Sequence, residues 1–194
     1  MKYVLASGNR GKLAELQAML ASTDIELISQ SAFNIPEAVE DGSSFEENAI
    51  IKARHASRLT GLPAIADDSG LSVDALGGEP GVYSARYAGE NATDTDNVKK
   101  LLANLETVPD HERAARFHCV IALVRNADDP QPELFRGTWE GTIARAPTGE
   151  NGFGYDPVFV VPERHCTAAE LDAQTKNSLS HRASAIRLLQ DWLL

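Results

Sequence analysis

The stretch Ile65-Ala66-Asp67-Asp68-Ser69-Gly70-Leu71 decides how the chain is read. Small and apolar Pro63, Ala64, Ile65 and Ala66 run straight into two adjacent carboxylates, a hydroxyl and a glycine. A buried strand that ends in charge is how an α/β protein delivers acidic groups to a cleft, because ligands bind beyond strand ends. Successive side chains on a strand point to opposite faces, so Asp67 and Asp68 are expected to do different jobs. One holds a divalent cation or a water while the other braces the turn. Gly70 is expected to let the backbone fold back close to a ligand. A plain acidic turn after a strand would look the same, since Asp, Ser and Gly are common turn residues.

Toward the N-terminus, Phe45 to Thr60 reads as a helix. Phe45, Ala49, Ala53 and Ala56 form a narrow stripe of mostly small residues, suited to close packing on a sheet. Ser43 or Ser44 can cap it, Glu46 and Glu47 suit its first turn, and Gly61 is a natural stop. The preceding loop, Ile35 to Ser44, carries Glu37, Glu40 and Asp41. Dipole complementarity does not account for Glu40, which becomes the candidate second carboxylate for a metal shared with Asp68. Ile25 to Ile28 reads as a strand, as does Tyr3 to Ala6. The latter leads into Ser7-Gly8-Asn9-Arg10-Gly11-Lys12 and then a helix with Leu13, Leu16 and Leu20 on one face. Strand, Gly-rich loop and helix is an arrangement whose backbone N–H groups can cradle phosphate. Lys12 in the first helical turn opposes the helix dipole unless an anion is bound. The loop lacks Walker spacing, and a plain βα turn is the alternative.

Toward the C-terminus, Val73 to Gly89 is an irregular, glycine-rich loop. Thr93 opens a helix with Val98, Leu101, Leu102 and Leu105 as its apolar stripe. Arg116 to Arg125 and Leu134 to Ile143 read as antiparallel neighbours, so the sheet is expected to be mixed. In Gly152-Phe153-Gly154-Tyr155-Asp156-Pro157, glycines on both sides leave Phe153 free to project a flat ring as a base-stacking platform. A hydrophobic plug under a turn is the alternative. Thr167 to Glu170 is a capping box. Ser180 precedes a last helix with Ile186, Leu189 and Leu193 toward the core, placing His181 and Arg182 in its first turn. With Lys12 and Lys176 these form a set of cations suited to an anion, or else solvated helix ends.

The chain of 194 residues fits one domain, 1–194, large enough to bury a substantial core. Hydrophobic residues make up 43% and charged residues 24%, a globular composition. Against 28 acidic side chains stand 18 Lys and Arg, a net charge of −10, which argues against a nucleic-acid or anionic-membrane surface. Cys119 and Cys166 lack CxxC spacing and give neither a disulfide framework nor a zinc site. No signal peptide and no run of about 20 apolar residues is present, so a cytoplasmic location is expected.

Ser7–Lys12 (SGNRGK), Phe45–Ala53 (FEENAIIKA), Ala66–Gly89 (ADDSGLSVDALGGEPGVYSARYAG), Gly152–Pro157 (GFGYDP) and Ser180–Arg182 (SHR) occur in order. Over essentially its whole length the sequence closely resembles the inosine/xanthosine triphosphate pyrophosphatases. The resemblance implies an elongated α/β fold with a mixed β-sheet flanked by helices, two lobes with a central nucleotide cleft, and a homodimer. It implies magnesium-dependent hydrolysis of a non-standard purine nucleoside triphosphate to the monophosphate and pyrophosphate. Residue by residue, Ser7, Gly8, Asn9, Arg10, Gly11 and Lys12 would be the phosphate loop, and Asp68 the general base and metal-linked carboxylate. Ser69 would touch substrate, Phe153, Gly154, Tyr155 and Asp156 would enclose the base, and Lys176, His181 and Arg182 would complete the site. Many relatives carry two consecutive glutamates where this chain has Val39-Glu40, so Glu40 is taken as the second metal carboxylate over Glu37 and Glu47. A pyrophosphatase for other altered nucleotides is the nearest alternative. A nucleotide-binding regulatory module that does not hydrolyse is the alternative from another class.

Overall fold

The structure, a computed structural model, describes residues 2–8, 10–21 and 25–193, without the side chains of Arg10 and Glu15. Seven strands are β1 (Lys2–Leu5), β2 (Glu26–Ser29), β3 (Ala64–Val73), β4 (Ala114–Val124), β5 (Glu133–Ile143), β6 (Phe159–Val161) and β7 (Cys166–Thr167). They form one sheet in the order β2-β1-β3-β4-β5-β6-β7. β1 is parallel to β2 and β3, whereas β6 is antiparallel to β5 and β7, so the sheet is mixed as expected. The helices are α1 (Arg10–Leu20), α2 (Phe45–Thr60), α3 (Asp94–Asn104), α4 (Ala173–Leu179) and α5 (His181–Leu193).

The chain divides into two compact units, with boundaries that fall inside β3, β4 and β5 and after the first residue of α5. The first comprises 1–68, 119–137 and 182–194. Here period-two alternation sends neighbouring strand residues to two different cores. Leu5, Ile65, Ile121 and Leu123 pack with Leu16 and Leu20 of α1 and Ala185, Ile186 and Leu189 of α5. Val4, Ala6, Ala64, Ala66, Val120 and Ala122 pack with Ala49, Ala53 and Ala56 of α2. The small stripe therefore lets α2 lie close to the sheet. Its ends are fixed locally: Ser44 accepts the Glu47 N–H at the N-terminus, and Gly61 adopts the left-handed conformation (φ 71°) at the C-terminus.

The second unit comprises 69–118 and 138–181. A single core joins Leu71, Val73, Phe117, Trp139, Ile143 and Phe159 to Val98 and Leu101 of α3 and to Leu105, which caps its C-terminal end. In this half β5 alternates buried and exposed residues, as a strand covered on one face should.

One expectation fails. The strand does not end at the carboxylates; β3 runs for ten residues through Asp67, Asp68, Ser69 and Gly70 to Val73. The reason is that Leu71 and Val73 are buried in the second core, so continuing the strand buries more apolar surface than a turn would. Gly70 is accordingly a strand residue. The acidic pair sits mid-strand, with Asp67 on the face of Ile65 and Asp68 on the face of Ala64 and Ala66.

Candidate functional site

In the first unit, three apolar rows end in charge at the same place. Helical spacing puts Lys12 above Leu16 and Leu20 on α1, and Arg182 above Ala185, Ile186 and Leu189 on α5. Strand spacing puts Asp67 beyond Ile65. All three rows belong to one core, and their charged ends meet: Lys12 Nζ lies 3.0 Å and Arg182 Nη2 3.5 Å from the same Asp67 oxygen, Oδ2. Arg182 is 1% exposed, so it could not hold its charge there without such a partner.

The opposite face repeats the design. Lys52, three residues after Ala49 and four before Ala56, lies on the small-residue stripe of α2. Its Nζ donates to Asp68 Oδ1 at 2.8 Å and to Glu40 Oε2 at 3.2 Å. The other two glutamates lie elsewhere. A side chain at Gly8 would run into Glu37 Oε1, which places Glu37 against the Ser7–Lys12 loop. Glu47 accepts the N–H and hydroxyl of Ser43. Val39, in the place of the expected glutamate, is 78% exposed. The sequence reading gave Lys52 no role, although its 49/52/56 spacing on a buried stripe marked it.

The two carboxyls are driven apart. Burial alone would push Asp67 up, but Lys12, Arg182 and Lys52 outweigh it and hold it well below the usual carboxylate range. Burial raises Asp68, and Glu40 adds to this against the pull of Lys52 and Lys12, leaving it above its ordinary value. Burial also works against the Lys52 ammonium, but Asp68, Asp67 and Glu40 prevail and its value is raised, so it stays charged. Paired titratable groups with opposed shifts are what a site with separate structural and proton-accepting carboxylates requires.

A stability consequence follows from Asp67. Its folded value lies below the unfolded value of about 3.9, so its stabilisation is fully present above that pH and is lost on acidification toward the folded value. The urea-unfolding free energy of the metal-free protein should fall steeply below about pH 4. Asp67→Asn should flatten that limb; parallel profiles for the two proteins would assign the acid limb to other groups.

In the second unit, Asp156 is the hub. Its Oδ2 accepts Lys176 Nζ at 2.7 Å and the Phe153 N–H at 2.9 Å. Gly152 (φ 74°) has to be glycine, because a Cβ there would stand 2.0 Å from the same oxygen. Lys176 Nζ also lies 4.7 Å from the Phe153 ring centroid, a cation–π distance. Lys176 is thus already neutralised and set against an aromatic ring, rather than standing as an unpaired phosphate cation. The Tyr155 ring is committed to the core and its hydroxyl donates to the Ser84 carbonyl at 2.7 Å; burial pushes that phenol well up. Gly154 N–H donates to Asp94 at the start of α3. His181 is buried and stacked on Phe117, centroids 4.7 Å apart and planes at 16°, with Trp139 at 6.4 Å. It is therefore not a solvated helix end. The sequence reading missed both aromatic partners, because nothing local ties β4 and β5 to α5.

Ser7, Gly8, Gly11 and Lys12 fall at the end of β1 and the start of α1, as expected of a phosphate loop. Asn9 and the Arg10 side chain lie outside the described residues. Ser69 is a half-buried residue of β3.

The Ham1 family profile matches residues 3–192. The dITP/XTP pyrophosphatase of Vibrio cholerae is 58% identical over 188 residues, covering 97% of this chain and 94% of that protein. Its namesake from Shigella flexneri is 55% identical over 192 residues, 99% and 98% of the two chains. The solved structure of a HAM1 protein from Coxiella burnetii superposes with a TM-score of 0.93 at 55% identity, over 100% of this chain and 98% of that one. The Staphylococcus aureus Ham1 protein gives 0.88 at 45% identity over the same shares. With the family profile matched over residues 3–192 and relatives more than half identical over nearly their whole length, the chain belongs to the Ham1 family.

Proposed function

We infer that this chain hydrolyses non-standard purine nucleoside triphosphates, ITP and dITP or XTP and dXTP, to the monophosphate and pyrophosphate, and so clears them from the nucleotide pool. The observation that carries this reading is the gathering of Asp68 and Glu40 on Lys52, with the Lys12–Asp67–Arg182 cluster on the neighbouring strand face. Phosphoryl transfer asks little covalent work of a protein; it asks for charge neutralisation, positioning and an in-line water. Release of pyrophosphate requires water to attack the α-phosphorus and the bond to the β-phosphate oxygen to break. Asp68 accepts the water's proton, a role favoured by its raised value. Lys12 and Lys52 supply positive charge to the phosphates.

Two carboxylates converging on one cation fit magnesium, which takes one or two protein carboxylates and completes its shell with water and substrate phosphate. Asp68 and Glu40 would hold it, and when bound it neutralises phosphate charge and lowers the pKa of a bound water. That β3, β4 and β5 each supply both units supports reading residues 1–194 as one domain. The sequence resemblance supports a homodimer working in the cytoplasm; among the described residues no helix is long and apolar enough to cross a membrane.

For the base, Phe153 offers a stacking face, and Lys176, His181 and Arg182 offer N–H donors. A donor pairs with the 6-oxygen of hypoxanthine or xanthine and opposes the 6-amino group of adenine. Each mispaired buried polar group costs about 1–3 kcal/mol, so two such contacts give roughly 10²–10⁴-fold discrimination. Purified protein with magnesium should therefore release pyrophosphate from ITP and XTP with a kcat/KM roughly 10²-fold or more above that for ATP. GTP shares the 6-oxygen and must be refused at its 2-amino group. No release from ITP ends this reading. Release from altered pyrimidine triphosphates alone selects the pyrophosphatase of other substrates, and tight binding of ITP without release selects the regulatory module.

A further inference from the structure

We propose that Asp67 is a positioning residue that yokes the phosphate-side cation Lys12 to the base-side cation Arg182, so that triphosphate binding and base discrimination depend on each other. This rests on the functional reading above and assigns a role to the one member of the acidic pair that it leaves unused. Lys12 and Arg182 both sit in the first turns of helices, α1 and α5, where the positive end of each helix disfavours a cation. Both approach one atom, Asp67 Oδ2, at 3.0 and 3.5 Å. The Asp67 side chain is 0% exposed and that of Arg182 2%, so water cannot stand in for the carboxylate. Two like charges that share one oxygen at two helix N-termini are drawn together by the charge on that oxygen. Remove its charge and each is repelled both by the other and by its own helix end. Asp67 therefore fixes where two ligand-directed cations lie, and neither a metal nor a proton transfer is needed for that task.

A competing account makes Asp67 a simple counter-charge, and the two differ in sign. Asp67→Asn adds one positive charge to the cluster. A counter-charge alone predicts that inorganic tripolyphosphate in metal-free buffer then binds tighter, by roughly threefold or more. Positioning predicts that it binds weaker, by roughly tenfold, because Lys12 is no longer held in place. It also predicts that the ITP-over-ATP ratio of kcat/KM falls by roughly tenfold, because Arg182 loses its orientation along with Lys12. Asp67→Glu should recover part of both. Tighter tripolyphosphate binding, or an unchanged ITP/ATP ratio, overturns the proposal. Should Asp67→Asn fail to fold, Lys12→Gln, Arg182→Gln and the double variant answer the same question. Yoked cations give a double variant whose loss of kcat/KM for ITP is well below the product of the single losses; independent ones multiply to within about twofold, and that result overturns the proposal. If the wild type does not hydrolyse ITP, the functional reading fails, whereas the tripolyphosphate measurement, which needs no turnover, still judges Asp67.

Discussion

Asp68→Asn lowers kcat for ITP by at least about 10³-fold and leaves ITP binding within about threefold of wild type. The amide keeps the volume and the hydrogen bond that Lys52 makes to Oδ1, so β3 and α2 keep their packing. In the proposed mechanism it removes the proton acceptor and weakens a metal ligand. General base catalysis alone accounts for about 10²–10⁴-fold, and the metal contribution adds to it. Binding should not suffer, because the substitution makes the site more positive toward a polyanion. Pyrophosphate release measured beside calorimetric binding of ITP separates the two quantities. Turnover within tenfold of wild type would take Asp68 out of the catalytic role and leave Glu40 as the carboxylate to examine.

The sequence made the elements legible where periodicity was complete. α2 was bounded by local chemistry, Ser43 or Ser44 at one end and Gly61 at the other, and the structure selects Ser44 and keeps Gly61. Other features were on the page but needed a second rule to read. The segment Arg116-Phe117-His118-Cys119 alternates and then turns wholly apolar through Val124, which is β4 passing from a sheet covered on one face to one covered on both. Lys12 and Arg182 stand at the heads of leucine and isoleucine rows, so their burial could be foreseen, but the carboxylate that would meet them could not. That pairing joins residues 67 and 182, and only the fold brings them to one oxygen. The same holds for His181 on Phe117. The course of β3 through Asp67 and Asp68 was misread for a related reason: local composition favours a turn there, and tertiary burial of Leu71 and Val73 overrides it.

Six charged side chains of the first unit meet in the two clusters. Lys12, Lys52 and Arg182 face Asp67, Asp68 and Glu40, and each cation has a carboxylate within 3.5 Å. Lys12 and Arg182 thus share one carboxylate, whereas Lys52 is shared by two. On the proposed reading a triphosphate and its metal would enter by exchange, Asp68 and Glu40 holding the metal while Lys12 and Lys52 face the phosphates.

Lys52 is where that exchange is most exposed to test. In Lys52→Met the alkyl stem still packs on the stripe of α2, but Asp68 and Glu40 are left as two like charges without their shared cation. Their repulsion favours any other cation, so half-saturation by magnesium should fall to a several-fold lower concentration. At saturating magnesium, kcat should nevertheless remain down by on the order of 10²–10³-fold, the range found when one preorganised donor to developing charge is removed. Lys52→Arg should not restore it, because a planar fork cannot replace a compact ammonium donating to two carboxylates at 2.8 and 3.2 Å. Full recovery of kcat with added magnesium would reduce Lys52 to a placeholder for the metal. Weaker magnesium binding would mean that the ammonium holds the two carboxylates in place for the metal rather than competing with it, and the exchange account of substrate entry would fall with that result.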